Sequence, residues 1–221
     1  MQKIVPISAY AVPRSQLLSQ AIKRAFDLVL SLALLLLFLP LLLLLLIVSA
    51  IDTKASPLFV QERCGRYNRT FRMLKFRTMR ADAPANVATY ELKDAEQYMS
   101  RIGRTMRKLS LDELPQLINI LIGDMSFVGP RPVVLTETVL IRMRTRNGAN
   151  RVRPGLTGLA QVNGRDTVST LRKAKLDAQY AEKMTFRLDL SILLRTVLCV
   201  LTSSGVSEGC DPNEDSPRYS A

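Results

Sequence analysis

The chain contains no histidine, so the commonest general base and the commonest metal ligand are missing. Any chemistry falls to carboxylates, lysine, serine or cysteine. Cysteine is scarce: Cys64, Cys199 and Cys210 form no Cys-x-x-Cys, which indicates neither a zinc site nor a disulfide framework. There is no tryptophan, and seven Phe and six Tyr outline no recognisable nucleic-acid module, so nucleic acid is not the expected partner. Acids are few, 19 against 31 Lys and Arg, which leaves a net charge of +12. That excess favours anionic partners, above all a lipid surface or phosphates. No internal repeat is visible.

What the chain does have is one long apolar run, Leu28–Ile47, interrupted only by Ser31 and Pro40. At about 1.5 Å rise per residue a continuous helix of that length is about 30 Å long, the thickness of a bilayer's hydrocarbon core. Both flanks are basic. Lys3, Arg14, Lys23 and Arg24 precede the first acid, Asp27, and eight Lys or Arg between Lys54 and Arg80 outnumber Asp52 and Glu62. Because Lys and Arg mark the cytoplasmic side, this symmetry fits a segment that dips in and turns back near Pro40. Proline lacks an amide hydrogen and bends or breaks a helix. A spanning helix kinked at Pro40 also fits, whereas a cleaved signal peptide does not, since no small-x-small site follows.

The organisation expected is residues 1–20 as a lead-in, 21–52 as a membrane helix-break-helix, 53–207 as one catalytic domain, and 208–221 as a disordered polar tail. Lys23, Arg24 and Asp27 share a helical face and are expected to pair as an interface anchor. Pro57–Arg63 and Thr70–Arg77 around Gly65-Arg66-Tyr67-Asn68 predict a β-hairpin. Leu111–Leu121 predicts a short helix and Leu171–Lys183 a charged amphipathic one. In Leu190–Leu201, residues 190, 193, 194, 197, 198 and 201 form one apolar face, suited either to the membrane interface or to a core. The fold class expected is α+β and mainly helical.

Ser110-Leu111-Asp112-Glu113 reads most simply as a capping box, the Ser110 hydroxyl accepting from the Glu113 amide. Adjacent carboxylates beside arginines can equally bind a divalent cation and supply a nucleophile. Gly129-Pro130-Arg131-Pro132 is a stiff turn presenting a guanidinium, whose planar fork matches phosphate oxygens. Arg107 lies five residues before Asp112. Gly155, Gly158 and Gly164 with Gln161, Asn163 and Arg165 form a polar, glycine-interrupted stretch. Such glycines let a backbone approach a ligand closely, or simply build a loop.

Together these pieces resemble the bacterial sugar transferase family, the monotopic polyprenyl-phosphate phosphoglycosyl transferases. The likeness runs over roughly Ile22 to Gly209 and rests on five ordered signatures. These are KRAFD, FVQERCGRYNRTFRMLKFRTMR, RKLSLDELPQLINILIGDMSFVGPRP, RVRPGLTGLAQVNGRD and LDLSILLRT…SGVS. It is closest in kind to compact, exopolysaccharide-initiating members. Such members often carry serine before the helix-breaking proline, where this chain has Leu39.

The resemblance implies a re-entrant membrane helix broken at Pro40, a small β-hairpin and amphipathic interfacial helices around an active site on the cytoplasmic face of the bacterial inner membrane. It implies a Mg2+-dependent reaction in which Asp112 attacks the β-phosphate of a UDP-sugar, UDP-glucose or UDP-galactose being expected. UMP leaves, and undecaprenyl (polyprenyl) phosphate then takes the sugar phosphate from the covalent intermediate. Glu113 would share the metal with Asp112, Arg107 and Arg131 would hold phosphates, and Lys75 would support Glu113. Gly158, Gln161, Asn163, Gly164 and Arg165 would line the nucleotide-sugar region. Membrane lipids and a second copy of the chain are the further partners admitted. Against this stand a catalytically silent membrane adaptor and a membrane-tethered nucleic-acid binder.

Overall fold

A computed structural model of the protein describes residues 14–84, 95–164 and 168–201; the tail, most of the lead-in and Arg165 fall outside these. The apolar run forms two helices, α1 (Arg14–Leu37) and α2 (Leu39–Thr53). Their axes bend by 66° at Phe38, whose φ of −92° and ψ of 7° leave the helical basin. Pro40 then sits in the first turn of α2, where the amide it lacks has no helical partner to lose. No single helix among the described residues is long and apolar enough to cross a membrane, though the bent pair together is.

The expected hairpin is present. Strands β1 (Leu58–Cys64) and β2 (Thr70–Phe76) pair antiparallel from Leu58↔Phe76 to Cys64↔Thr70. A short turn over Arg66–Asn68 joins them, with Tyr67 and Asn68 at φ of 56° and 60°. Helix α3 (Arg101–Lys108) follows, capped by the Ser100 hydroxyl, and then α4 (Gln116–Ile122), stopped by Gly123 at φ of 100°. β3 (Ser126–Val128) leads through the Gly-Pro-Arg-Pro turn into β4 (Val133–Val134), which adds to the free edge of β1. Helix α5 (Thr138–Asn147) and β5 (Gly155–Thr157) come next, and β5 pairs parallel with β3. The described chain ends in α6 (Thr170–Lys183) and α7 (Phe186–Leu201).

The main core joins Phe71, Met73, Leu117, Ile120, Phe127, Tyr180 and Ile192, with Phe26, Leu30 and Leu34 of α1 packed against it. A smaller core joins Leu45 of α2 to Phe76 and Met106. Both limbs of the bent pair are therefore seated on the same domain. Their other faces are bare: Val29, Leu36, Leu43, Ile47 and Ile51 are among the exposed apolar side chains. On α7, Leu190, Leu194, Val197 and Leu198 are also exposed, while Ile192 turns inward. Of the apolar face expected there, Leu193 packs against the core while Leu190, Leu194, Val197 and Leu198 are bare.

Two local expectations fail. Lys23, Arg24 and Asp27 do not serve one another. Lys23 pairs with Asp189 at 2.7 Å, Arg24 donates to the Ile120 and Leu121 carbonyls, and buried Asp27 accepts from the Ser126 hydroxyl and the Phe127 amide. Once α1 packs on the domain, these stronger, less solvated partners replace exposed neighbours one turn away. Nor is Leu111–Leu121 one helix. A 3-10 turn over Leu111–Glu113 precedes α4 because Pro115 has no amide to continue the ladder.

Candidate active site

Asp112 and Glu113 lie on that 3-10 turn. Ser110 enters it in the left-handed region, φ 56° and ψ 23°, so its hydroxyl makes no cap bond and the capping box is absent. Instead the Glu113 amide donates to the Ser110 carbonyl at 3.3 Å, and the Glu113 carboxylate turns away from the turn. Its Oε1 accepts from Lys75 Nζ of β2 at 2.9 Å and from an Arg131 terminal nitrogen at 3.1 Å. Lys75 Nζ stands 4.0 Å from Asp112 Oδ2. Four of the expected residues, Lys75, Asp112, Glu113 and Arg131, therefore meet in one cluster.

Arg107 approaches from the end of α3, where its Nε donates to Thr78 Oγ1 at 2.9 Å. Thr78 is itself fixed. A Cβ on Gly103 would fall 2.3 Å from the Thr78 carbonyl oxygen, so α3 lies directly against this backbone. The base of α3 is tied to α2 by Ser100, whose hydroxyl donates to Asp52 at 2.6 Å. Ser49 of α2 donates to the carbonyl of Arg77, next to Thr78, at 2.7 Å.

Arg131 is held through its backbone. Its carbonyl accepts from Arg144 at 2.9 Å, and Arg144 is bound twice by buried Asp177, at 2.8 and 2.7 Å. The glycines of the following segment serve the same loop. A Cβ on Gly158 would lie 2.1 Å from the Gly129 carbonyl oxygen, and one on Gly155 would lie 2.1 Å from the Gly129 amide. Their small size thus admits another stretch of backbone. Asn163 donates to the Leu159 carbonyl at 2.7 Å, and Gly164 adopts φ of 129°. Gln161 is buried with neither amide atom hydrogen-bonded. Gly158, Gln161 and Asn163 make no hydrogen bond to the carboxylate cluster.

The two carboxylates are placed in opposite electrical settings. Burial pushes Asp112 above its ordinary value, Lys75 opposing and the adjacent Glu113 charge reinforcing the rise. Burial also acts on Glu113, but the Lys75 and Arg131 charges outweigh it and hold that carboxyl well below the usual carboxylate range. Glu113 is thus a fixed anion, while Asp112, only 6% exposed, is a poorly solvated carboxylate. A carboxylate stripped of water and backed by cations is suited to attack an electrophilic phosphorus.

The bacterial sugar transferase family profile matches residues 18–203 of this chain. The chain belongs to that family. Among its relatives, the uncharacterised sugar transferase EpsL of Bacillus subtilis is 39% identical over 85% of this chain and 91% of its own length. The exopolysaccharide production protein ExoY of Sinorhizobium fredii is 37% identical over 83% of this chain and 87% of its own. The UDP-glucose:undecaprenyl-phosphate glucose-1-phosphate transferase of Caulobacter vibrioides is 41% identical over 82% and 70%.

As a sugar transferase the protein needs groups that hold an anionic donor. Asp112 Oδ1 and Glu113 Oε2 accept no hydrogen bond from the described residues. This fits a hard cation that takes one or two carboxylates and completes its shell with substrate phosphates and water. Among the described residues no group of three or more His, Cys, Asp or Glu assembles a cage of its own. Residues missed in the sequence are Thr78, Asp52, Ser49, Arg144 and Asn119, which position the cluster from behind. Only Asn119 left a trace there, as the polar residue in the apolar string LINILI.

Proposed function

We propose that the protein transfers a sugar 1-phosphate from a UDP-sugar to polyprenyl phosphate, undecaprenyl phosphate in bacteria, and releases UMP. The observation that carries this reading is the pair of carboxylates with divided roles, Asp112 buried and Glu113 clamped by Lys75 and Arg131. An Asp112 oxygen attacks the β-phosphorus of the donor. The bond from that phosphorus to the bridging oxygen breaks, and UMP leaves with the electron pair. The sugar phosphate is then an acyl phosphate on Asp112. An oxygen of polyprenyl phosphate attacks the same phosphorus, displaces the Asp112 carboxylate and yields polyprenyl-diphosphate sugar. Splitting the transfer this way means that the water-soluble donor and the lipid acceptor need not occupy the site together.

Arg131 and Arg107 hold the donor phosphates, and Lys75 keeps Glu113 turned toward them. Mg2+, held by Asp112 and Glu113, supplies further neutralisation of the diphosphate charge when bound. The donor sugar is glucose or galactose, a reading supported by the Caulobacter relative named for UDP-glucose. The role is initiation of an exopolysaccharide, in keeping with the ExoY relative's name.

The bent pair is a re-entrant hairpin that seats this site on the cytoplasmic face of the inner membrane. Two facts support the placement. Arg24 near one end and Ser49 near the other bind the same domain, and the helices' outward faces are apolar. Helix α7 lies along the interface with its bare apolar face inward to lipid.

The test is a screen of UMP release across UDP-sugars with added polyprenyl phosphate. Asp112→Asn abolishes both UMP release and the radiolabelled covalent adduct; undiminished turnover by that variant overturns the nucleophile assignment. Cysteines placed at positions 10 and 215 of a chain lacking native cysteines label from the same membrane face, and labels from opposite faces overturn re-entry.

A further inference from the structure

Two arginines from distant segments, Arg24 and Arg153, bind the end of α4 that points away from Asp112, and a third, Arg66, lies close enough to act on Arg153. Helix α4 begins beside the carboxylate pair and is about 10 Å long at about 1.5 Å per residue, so its end is a separate place. There Arg24 donates to the Ile120 carbonyl at 2.7 Å and to the Leu121 carbonyl at 2.9 Å. Arg153 donates to the Gly123 carbonyl at 2.9 Å. Arg66 donates to Gln20, one turn before Arg24 on α1, at 3.1 Å, and to the Arg151 carbonyl at 2.7 Å.

The simplest account is a helix cap, since the last carbonyls of a helix attract cations. That account uses Arg24 and Arg153 and leaves Arg66 over. It also leaves the charge unbalanced. The Arg153 guanidinium is pushed below its ordinary value by burial and then by Arg66 and Arg24. Asp27, which accepts from Ser126 and Phe127, offsets part of this charge, and among the described residues Asp124, next to Gly123, forms no ion pair with the three. The two terminal nitrogens of Arg153 and one of Arg66 donate to no described residue, while the Arg66 guanidinium rests over the Tyr67 ring at 4.7 Å. Ile122, the last residue of α4 and next to Gly123, is bare at 65% exposed. A ligand matching both features is anionic at its head and apolar in its body.

We infer that Arg24, Arg66 and Arg153 bind the headgroup phosphate of an anionic phospholipid, separately from the Asp112–Glu113 site. The lipid's phosphate bridges three guanidiniums that otherwise repel, and an acyl chain lies along Ile122. This rests on the placement of α1 at the membrane and not on the transfer chemistry.

The test uses the full chain in detergent micelles and native mass spectrometry, so it does not depend on whether α1 and α2 re-enter or span. Phosphatidylglycerol is added against phosphatidylcholine, with polyprenyl phosphate and millimolar inorganic phosphate as further arms. The protein retains phosphatidylglycerol over phosphatidylcholine, and Arg66→Met lowers that retention about tenfold, the worth of one charged hydrogen bond. Arg66→Lys restores most of it, and UMP release from a UDP-sugar by Arg66→Met stays at the parent rate. Equal retention of the two lipids, or retention unmoved in Arg66→Met with its melting temperature unchanged, overturns the site. Polyprenyl phosphate lost in place of phosphatidylglycerol makes the occupant the acceptor, and displacement by inorganic phosphate alone makes it a phosphate site without lipid. Either result overturns the phospholipid assignment.

Discussion

Asn119 ties the catalytic strand to the core, and removing it gives a measurable cost. The side chain is fully buried on α4, its Oδ1 accepting from the Leu74 amide at 3.0 Å and its Nδ2 donating to the Arg72 carbonyl at 2.7 Å. Strand β2 is an edge of the three-stranded sheet, so these backbone groups have no neighbouring strand. Asn119→Leu keeps the volume but strands a donor and an acceptor, at about 1–3 kcal/mol for each buried group. Both lie on a partly exposed strand, which favours the lower half of the range, about 2–4 kcal/mol in all. For a chain of this size each kcal/mol shifts the melting temperature by about 2–4 °C, so a fall of about 4–16 °C is expected by calorimetry in detergent. Lys75 adjoins Leu74, so UMP release at temperatures below the melt falls with it. A melting temperature within about 2 °C of the parent refutes the reasoning, since two unsatisfied backbone groups cost more than that.

Thr78→Val removes the acceptor for Arg107 Nε and lowers kcat/KM for UMP release by about 10–100-fold, whereas Thr78→Ser retains most of the activity. Lys75→Met leaves Glu113 with Arg131 alone; kcat falls, and the melting temperature at neutral pH falls with it, because a charge that holds the mostly buried Glu113 anion is lost. Gly158→Ala forces a Cβ into the Gly129 carbonyl and prevents accumulation of folded protein, read as loss of the monodisperse peak in size exclusion. Burial raises the Cys64 thiol, so its thiolate fraction at a given pH is below that of a free thiol. A chain retaining only Cys64 therefore reacts with iodoacetamide more slowly at pH 8 than the same chain unfolded.

The features legible in the sequence are those set by neighbours in the chain. The bend followed from Pro40 within an apolar run, and the hairpin from alternation around Gly65-Arg66-Tyr67-Asn68. What was not legible is set by pairing across the fold. Lys23 and Asp189 are separated by 166 positions, and no periodicity connects them. The glycines of RPGLTG fitted either a close ligand or a plain loop, because spacing shows that a side chain is absent, not what occupies the space. The occupant is the backbone of Gly129, which carries the Arg131 turn. Ser110 misled for a different reason. Its type suits a cap, but Pro115 shortens the helix and the left-handed backbone at Ser110 turns the hydroxyl away.

These distant pairings explain why the bent helix pair and the proposed phosphate site belong to one unit. Ser49 binds the Arg77 carbonyl and Asp52 binds Ser100, so α2 fixes both the strand end that carries Thr78 and the first turn of α3. Arg107 is defined by those two elements, through Thr78 and through its place at the end of α3. The other arginine, Arg131, is set by Arg144 and Asp177, whose described hydrogen bonds run to neither helix of the bent pair. A shift of α2 in its surroundings therefore moves Arg107 relative to Arg131 and changes the separation of the two cations across the carboxylates. Phosphate affinity depends on that separation, because a guanidinium that moves by an ångström loses hydrogen-bond geometry before it loses Coulomb attraction. In the proposed reading the depth of α2 and the grip on phosphate are in this way one mechanical variable.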